Sequence, residues 1–301
     1  MQLFVFNPWH EEALAADSAY YTPTRAAQQT EQRERGIMRQ WMGKDDILLD
    51  EDVKQPRWED IEKIVPWGWD KLLRHRLLRL GAPEHLLPTY ASLEKLRFLS
   101  SRATTSRLLP LLRADVPGTI GRSRLCHTEE QVLNTLNEWG GAMLKAPWSC
   151  AGRGVFLSSC PPDEKTRLRI RNVLRKQGFL EAQQYICAAR DFAMEFFYDG
   201  NCLHYLGLSL FSTTSQGTYA GNKKGTEAEL RALLLDKSTD TIYHNIGRAL
   251  QIHLPTLLGT DYAGPLGVDM LLADRKIHPC VELNLRLTMG TPPFSPYIIN
   301  W

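Results

Sequence analysis

The chain has 301 residues, 43% of them hydrophobic and 23% charged, with 36 basic against 34 acidic side chains and a formal net charge of +2. That length suits two or three packed subdomains with a sizeable core, and the even charge balance gives no general pull toward nucleic acid or a membrane surface. Six scattered cysteines without a CxxC pair read as reduced thiols rather than zinc ligands, no apolar run approaches the roughly 18 residues that span a bilayer, and the Met1 to Phe6 start is too short for a leader, so a cytoplasmic protein is expected.

In chain order, Leu3 to Phe6 reads as a buried strand broken at Asn7-Pro8. Residues 24–42, rich in Gln, Glu, Arg and Ala, predict an exposed helix, and Ile47-Leu48-Leu49 a short strand. Pro66 to Trp69 breaks the chain before a basic helix over about 70–80, so the first segment alternates strand and helix as a small α/β unit does. Leucines at helical spacing from Leu93 to Leu112, with Pro110 among them, predict linker helices. Strands follow near 118–120, 141–146, 154–158, 180–186, 192–198 and 202–210, with helices near 128–139 and 162–177. A polar, glycine-rich loop over 212–226 precedes one long amphipathic helix carrying Leu230, Leu233, Leu234, Ile242, Ile246, Ala249 and Leu250 on or near one stripe. Strands near 266–272 and 279–285 close the pattern, with no internal repeat.

Two blocks carry chemistry. In the first, Lys145 ends a strand and the small-residue loop Ser149 to Gly154 precedes the next one. Glycines let backbone N–H groups come close to phosphate oxygens, and a lysine adds a point charge for them. The block is not a P-loop, since GxxxxGK[ST] is absent and no helix follows; a plain turn is the bland alternative. In the second, Asp269 lies on one strand while Glu282, Asn284 and Arg286 alternate along the next, with Val281, Leu283 and Leu285 on the opposite face. Hard oxygen donors of this kind suit Mg²⁺ shared with nucleotide phosphates; a solvated strand face with one ion pair is the alternative.

Together the blocks resemble the ATP-grasp superfamily over about residues 100–290: a lysine before a glycine-rich hairpin, a hinge strand, an acidic residue, then an Asp followed on the next strand by ExNxR. The start, Asn7 to Ala15, resembles that of uncharacterised bacterial ATP-grasp proteins. The resemblance implies an α/β N-terminal domain over 1–95 and an α+β ATP-grasp domain over 96–301, whose smaller (about 115–185) and larger (186–301) subdomains clamp ATP between antiparallel sheets. It implies phosphate contacts from Lys145 and from Ser149, Gly152, Arg153 and Gly154 of the hairpin loop, with Arg102 as a further phosphate ligand. The hinge Gln183, with the main chain of Gln184 and Ile186, would hold adenine, and Asp191 the ribose; Glu181 is the alternative hinge residue. Asp269, Glu282 and Asn284 would hold Mg²⁺, and Arg286 would stabilise charge on an acyl phosphate.

The implied reaction is ATP-dependent joining of a small-molecule or peptide carboxylate to a nucleophile, an amine first among them, with no nucleic acid or membrane partner and with room for a homodimer. A phosphotransferase and a silent nucleotide-binding protein are the alternatives. Lys223 and Lys224 read either as a flap closing over the phosphates or as an ordinary loop. His10, Glu11 and Glu12 read as a polar turn, with a substrate amine or a metal as their functional alternative; Trp67 and Trp69 read as wedges between subdomains rather than a stacking surface for a planar ligand, and Lys71 to Arg79 as a solvated helix face rather than an RNA surface.

Overall fold

The computed structural model describes residues 1–49, 56–149, 154–187, 190–213 and 219–292. The chain begins with β1 (Gln2–Val5), α1 (His10–Ala16), α2 (Arg25–Glu34), β2 (Ile47–Leu48), β3 (Lys63–Pro66) and α3 (Lys71–Arg79). β1 pairs in parallel with both other strands, in the order β2-β1-β3. The helix expected over 24–42 is shorter and less exposed than its composition suggests. After Glu34 it tightens into a 3₁₀ turn, Arg35–Trp41, in which Met38 and Trp41, three residues apart, fall on one face and are fully buried. The basic helix α3 is capped by Asp70, which accepts from Leu73 N at 2.8 Å. Its cationic face is not simply solvated: Arg74 is buried, donating to Pro88 O at 2.8 Å and stacking 4.4 Å over Tyr90.

Helices α4 (Tyr90–Leu99) and α5 (Arg102–Asp115) lead to β4 (Ser123–Cys126), α6 (Glu129–Trp139), β5 (Gly141–Lys145), β6 (Val155–Ser159), α7 (Glu164–Gln177) and β7 (Leu180–Gln183). The four strands form an antiparallel sheet in the order β4-β7-β5-β6. The strand expected at 118–120 is only an isolated bridge, Thr119 to Ile277; the true edge strand lies a few residues later. α6 and α7 cover one face through Val132, Leu136 and Ile170, packed on Leu144, Leu180 and Ala182.

The remainder comprises β8 (Arg190–Tyr198), β9 (Leu203–Thr213), β10 (Tyr219–Asn222), α8 (Glu227–Leu234), α9 (Lys237–Leu258), β11 (Gly264–Ala273) and β12 (Lys276–Asn284). These strands make a five-stranded antiparallel sheet ordered β10-β9-β8-β11-β12. The expected single long helix is two. Leu235 is extended, and Asp236 starts α9 by accepting from Ser238 N and Thr239 N at 3.0 and 2.9 Å, a capping box that halts α8. Leu233, placed on or near the apolar stripe by the one-helix reading, is half exposed.

The largest core joins Leu108 and Leu112 of α5 and Ile246, Leu250 and Leu254 of α9 to Phe192, Met194 and Phe196 of β8. Each such side chain contributes about 1.5–3 kcal/mol on burial. Because strand residues alternate, burying Phe192, Met194 and Phe196 toward the helices turns Asp191, Ala193 and Glu195 to the opposite face. A second cluster wedges Trp67, with Phe4, Phe6 and Trp41, against Phe197 and Leu287, tying the parallel sheet to the five-stranded one. The architecture is an α/β unit followed by two α+β units built on antiparallel sheets, the fold class the sequence implied. Among the described residues no helix is long and apolar enough to cross a membrane.

Candidate active site

The helix-free face of the four-stranded sheet looks onto β12. Lys145 is directly opposite Glu181 in the β5–β7 register, and Gln183 follows two residues on, so all three side chains share that face. Lys145 Nζ donates to Gln183 Oε1 at 2.6 Å and crosses to Val281 O on β12 at 3.0 Å. Glu181, fully buried, accepts at Oε1 from Ser123 and Ser106 at 2.7 and 3.1 Å, while its Oε2 has no partner among the described residues. Burial pulls the Lys145 ammonium below its usual pKa, with Glu181 working the other way.

Arg102, the first residue of α5, reaches the same point from a third direction. Its N–H donates to Pro147 O at 3.1 Å, its Nη2 pairs with Glu282 Oε1 at 2.7 Å and touches Ser149 Oγ at 3.4 Å, and its Nη1 is a buried donor without a partner among the described residues. Burial opposes its charge, but Glu282, Glu181 and Asp269 outweigh this and raise its pKa. Gly154 closes the hairpin with φ +82°, its carbonyl accepting from Ala146 N at 2.8 Å; a Cβ there would press on Ser149 at 2.8 Å.

Across β11 and β12, Asp269 faces Glu282 and Gly267 faces Asn284. Asn284 donates to Asp269 Oδ2 at 3.1 Å and accepts from Arg286 Nη2 at 3.1 Å. Arg286 also donates to Leu287 O at 2.9 Å, ion-pairs through Nε with Glu11 of α1, and lies 5.6 Å over the Trp67 ring. Burial and the neighbouring Glu282 push Asp269 up to about 7. A hard dication there would relieve the cost of ionising Asp269 beside Glu282. Among the described residues no three His, Cys, Asp or Glu side chains converge, so such an ion would need the Asn284 amide oxygen, waters and phosphate to fill its shell.

No protein-family model matches the sequence, and a search of curated proteins finds no significant match. Solved structures do match. A biotin carboxylase from Campylobacter jejuni, in complex with β,γ-ATP, gives TM-score 0.55 at 15% identity over 95% of this chain, which spans only 65% of that one. A D-alanine–D-alanine ligase from Bacillus anthracis gives 0.53 at 13% identity, covering 96% of this chain and 88% of the other. A D-cycloserine synthetase gives 0.51 at 13% identity, covering 99% and 96%. The chain has the ATP-grasp fold. At these identities the likeness is one of fold.

Within the ATP-grasp fold, Arg102, Lys145, Ser149, Gln183, Asp269, Glu282, Asn284 and Arg286 are linked through the contacts above and β11–β12 register. Gln184 donates its N–H to Arg122 O at 2.9 Å, and Ile186, half-buried, follows two residues later, after β7. Asp191 is the second residue of β8, opposite Leu271 and on the face of Ala193 and Glu195. Lys223 and Lys224 are exposed just after β10, with Lys223 N donating to Leu210 O at 2.7 Å, and no contact joins them to the cluster among the described residues. Gly152, Arg153 and part of the 212–226 loop lie outside the described residues.

Of two further acids at the site, Glu11 reads from the sequence first as part of a polar turn, and Glu195 was not read from the sequence at all. Glu11 is no mere polar turn, since it pairs with Arg286. Glu195, on the site face of β8, is fully buried, accepts from Thr288 Oγ1 at 2.9 Å, and has no partner at Oε2 among the described residues. A side chain on Gly290 would collide with Ser209 and Glu195, so that glycine makes the pocket for the carboxyl. An acid in the middle of the apolar run Phe192 to Phe197 was the signal available.

Burial, with the Asp269 charge added and the Thr288 hydroxyl opposing, pushes Glu195 up to about 8. Between its ordinary value of 4.5 and about 8 the native state therefore holds a proton that the unfolded chain releases. Its contribution to stability is complete below that window and is lost as pH rises through it. Thermal unfolding of Glu195→Gln is expected to vary less with pH across the window than that of the native protein. Parallel pH profiles would show that Glu195 is already ionised in the fold.

Proposed function

We propose that this protein is an ATP-dependent ligase that activates a carboxylate as an acyl phosphate and joins it to an amine. The observation that carries the reading is the meeting of two cations, Lys145 and Arg102, with the oxygen donors Asp269, Glu282 and Asn284 of β11 and β12, with Arg286 as a third cation beside Asn284. That pairing suits a polyphosphate with its magnesium ion. The similar structures include one ligase joining two D-alanines and one enzyme solved with an ATP compound, which supports the reading.

In this reaction the substrate carboxylate attacks the γ-phosphorus, ADP leaves, and the amine then attacks the acyl carbon and displaces phosphate. Lys145 and the unpartnered Nη1 of Arg102 bind phosphate oxygens. Asp269, Glu282 and the Asn284 amide oxygen would hold magnesium, which would supply charge neutralisation at the phosphates. Arg286 steadies the negative charge that develops at the acyl group. The carbonyl of Gln184 and the N–H of Ile186 take the adenine edge, and Asp191 the ribose. Lys223 and Lys224 are best placed in a loop that folds over the phosphates, and the supply of ATP puts the activity in the cytoplasm.

Lys145→Ala is expected to weaken Mg·ATP binding about tenfold or more, the scale of a lost charge-assisted hydrogen bond, without unfolding the protein. Calorimetric titration of the folded variant checks this, and unchanged affinity would remove Lys145 from the phosphate site. The function itself is tested by ADP release screened against carboxylates with and without amines. ADP with amide supports the ligase, a stable phosphorylated product a kinase, and binding without turnover a silent module.

A further inference from the structure

The cleft beside Arg286 is nearly closed, and one aromatic side chain closes it. We infer that Trp148, clasped to Arg97, holds the empty cleft shut, and that the acyl donor must displace this ring in order to bind. The inference rests on the ligase reading, in which Arg286 addresses the reacting carboxylate.

Leu14 of α1, Arg102 of α5, Glu282 and Arg286 wall the cleft on three sides, and Pro147 and Trp148, after β5, form the fourth. Its volume is ≈ 20 Å³, room for about one water molecule. A carboxylate with a carbon body attached does not fit until a wall moves. Three walls are fixed: β12 is paired along β11, α5 is packed into the largest core through Leu108 and Leu112, and Glu11 ties α1 to Arg286. The fourth belongs to the four-stranded unit, whose core of Val132, Leu144, Ile170 and Leu180 is separate from the others. Polar contacts join that unit to the rest, such as Lys145 Nζ to Val281 O at 3.0 Å and Arg102 N to Pro147 O at 3.1 Å. A unit with its own core and a polar boundary is the part that can turn.

The clasp lies where such a turn would part the structure. Trp148 is buried; its indole N–H donates to Arg97 O at 2.9 Å, and the Arg97 guanidinium lies 3.6 Å over its ring. Each half is anchored on its own side. Arg97 Nε donates to Leu14 O at 2.6 Å and lies 3.5 Å from Asp17, which pairs with Lys71 of α3 at 2.8 Å. Trp148 N donates to Gln177 Oε1, at the end of α7, at 3.2 Å, and its ring meets Phe179 at 6.3 Å and 63°. One neutral hydrogen bond and one cation–π contact together favour the closed form by about tenfold to a few hundredfold. That keeps an empty cleft shut and is within the reach of a ligand's binding energy to reverse. A donor that binds only the open form has its apparent affinity cut by the same factor.

The test uses the full chain, saturating Mg·ATP and a carboxylate found by ADP release. Trp148→Ala is expected to lower KM for that carboxylate by about tenfold or more and to leave KM for ATP little changed. Trp148→Phe keeps a ring but loses the N–H, so a fall of about two- to tenfold is expected, and this variant carries the test should the alanine protein not fold. A Trp148 that only supported the fold would, when replaced, raise KM for the carboxylate. An unchanged or higher carboxylate KM in the folded variants, or equal falls for carboxylate and ATP, overturns the inference and leaves the ligase reading standing. No ADP release with any carboxylate overturns the ligase reading itself, and the inference with it.

Discussion

Glu282→Gln is expected to reduce ATP turnover at least about a hundredfold while the folded protein still binds nucleotide. Glu282 is directly opposite Asp269, and burial and mutual repulsion already hold Asp269 up to about 7. The glutamine keeps size and one acceptor oxygen but removes a full charge from a site of two carboxylates and an amide. Stability is a separate matter. Glu282 also pairs with buried Arg102 at 2.7 Å, and stripping one partner from a buried pair costs about 3–5 kcal/mol. The glutamine retains a hydrogen bond to Arg102, so a smaller loss is expected, whereas Glu282→Ala should show the larger one. Steady-state rates against magnesium concentration, alongside thermal unfolding, separate the two effects. Near-normal turnover in the glutamine variant would remove Glu282 from the metal site.

Arg286→Lys should behave differently, although the charge is conserved. The guanidinium spends Nε on Glu11, Nη1 on Leu287 O at 2.9 Å and Nη2 on Asn284 at 3.1 Å, and lies over Trp67. An ammonium is a point charge and cannot keep that fork in one plane. A fall in kcat of about 10²–10³-fold is expected, the scale of losing a donor aimed at developing charge, with little change in magnesium dependence. Turnover near the native rate would show that a point charge suffices and that the planar grip has no catalytic role.

How legible the fold and site were depended on the range of the signal. The alternation of Glu282, Asn284 and Arg286 could be read because a strand's period of two is local, and the structure does set those residues beside Asp269. The burial of Met38 and Trp41 could not be read as easily, because a shift from α to 3₁₀ winding changes which residues share a face. The break before α9 was in the sequence, as Asp236 three residues before Thr239, but the leucine stripe around it suggested continuity. Glu11 is the clearest case of the opposite kind. Nothing near it announces a partner, for Arg286 is 275 residues away and is brought to it only when Trp67 and Leu287 join the parallel sheet to the five-stranded one. Arg102 shares that character, its pairing with Glu282 created by the way α5 enters beside β12.

The central claim is that a carboxylate oxygen becomes bonded to the γ-phosphorus of ATP before the amine arrives. The measurement closest to it is the fate of ¹⁸O placed in the carboxylate of a substrate found by ADP release. The acyl-phosphate route predicts that inorganic phosphate released with the amide carries a single ¹⁸O taken from that carboxylate. Amide formed with wholly unlabelled phosphate, or label held in a stable phosphorylated product with no amide, would contradict it.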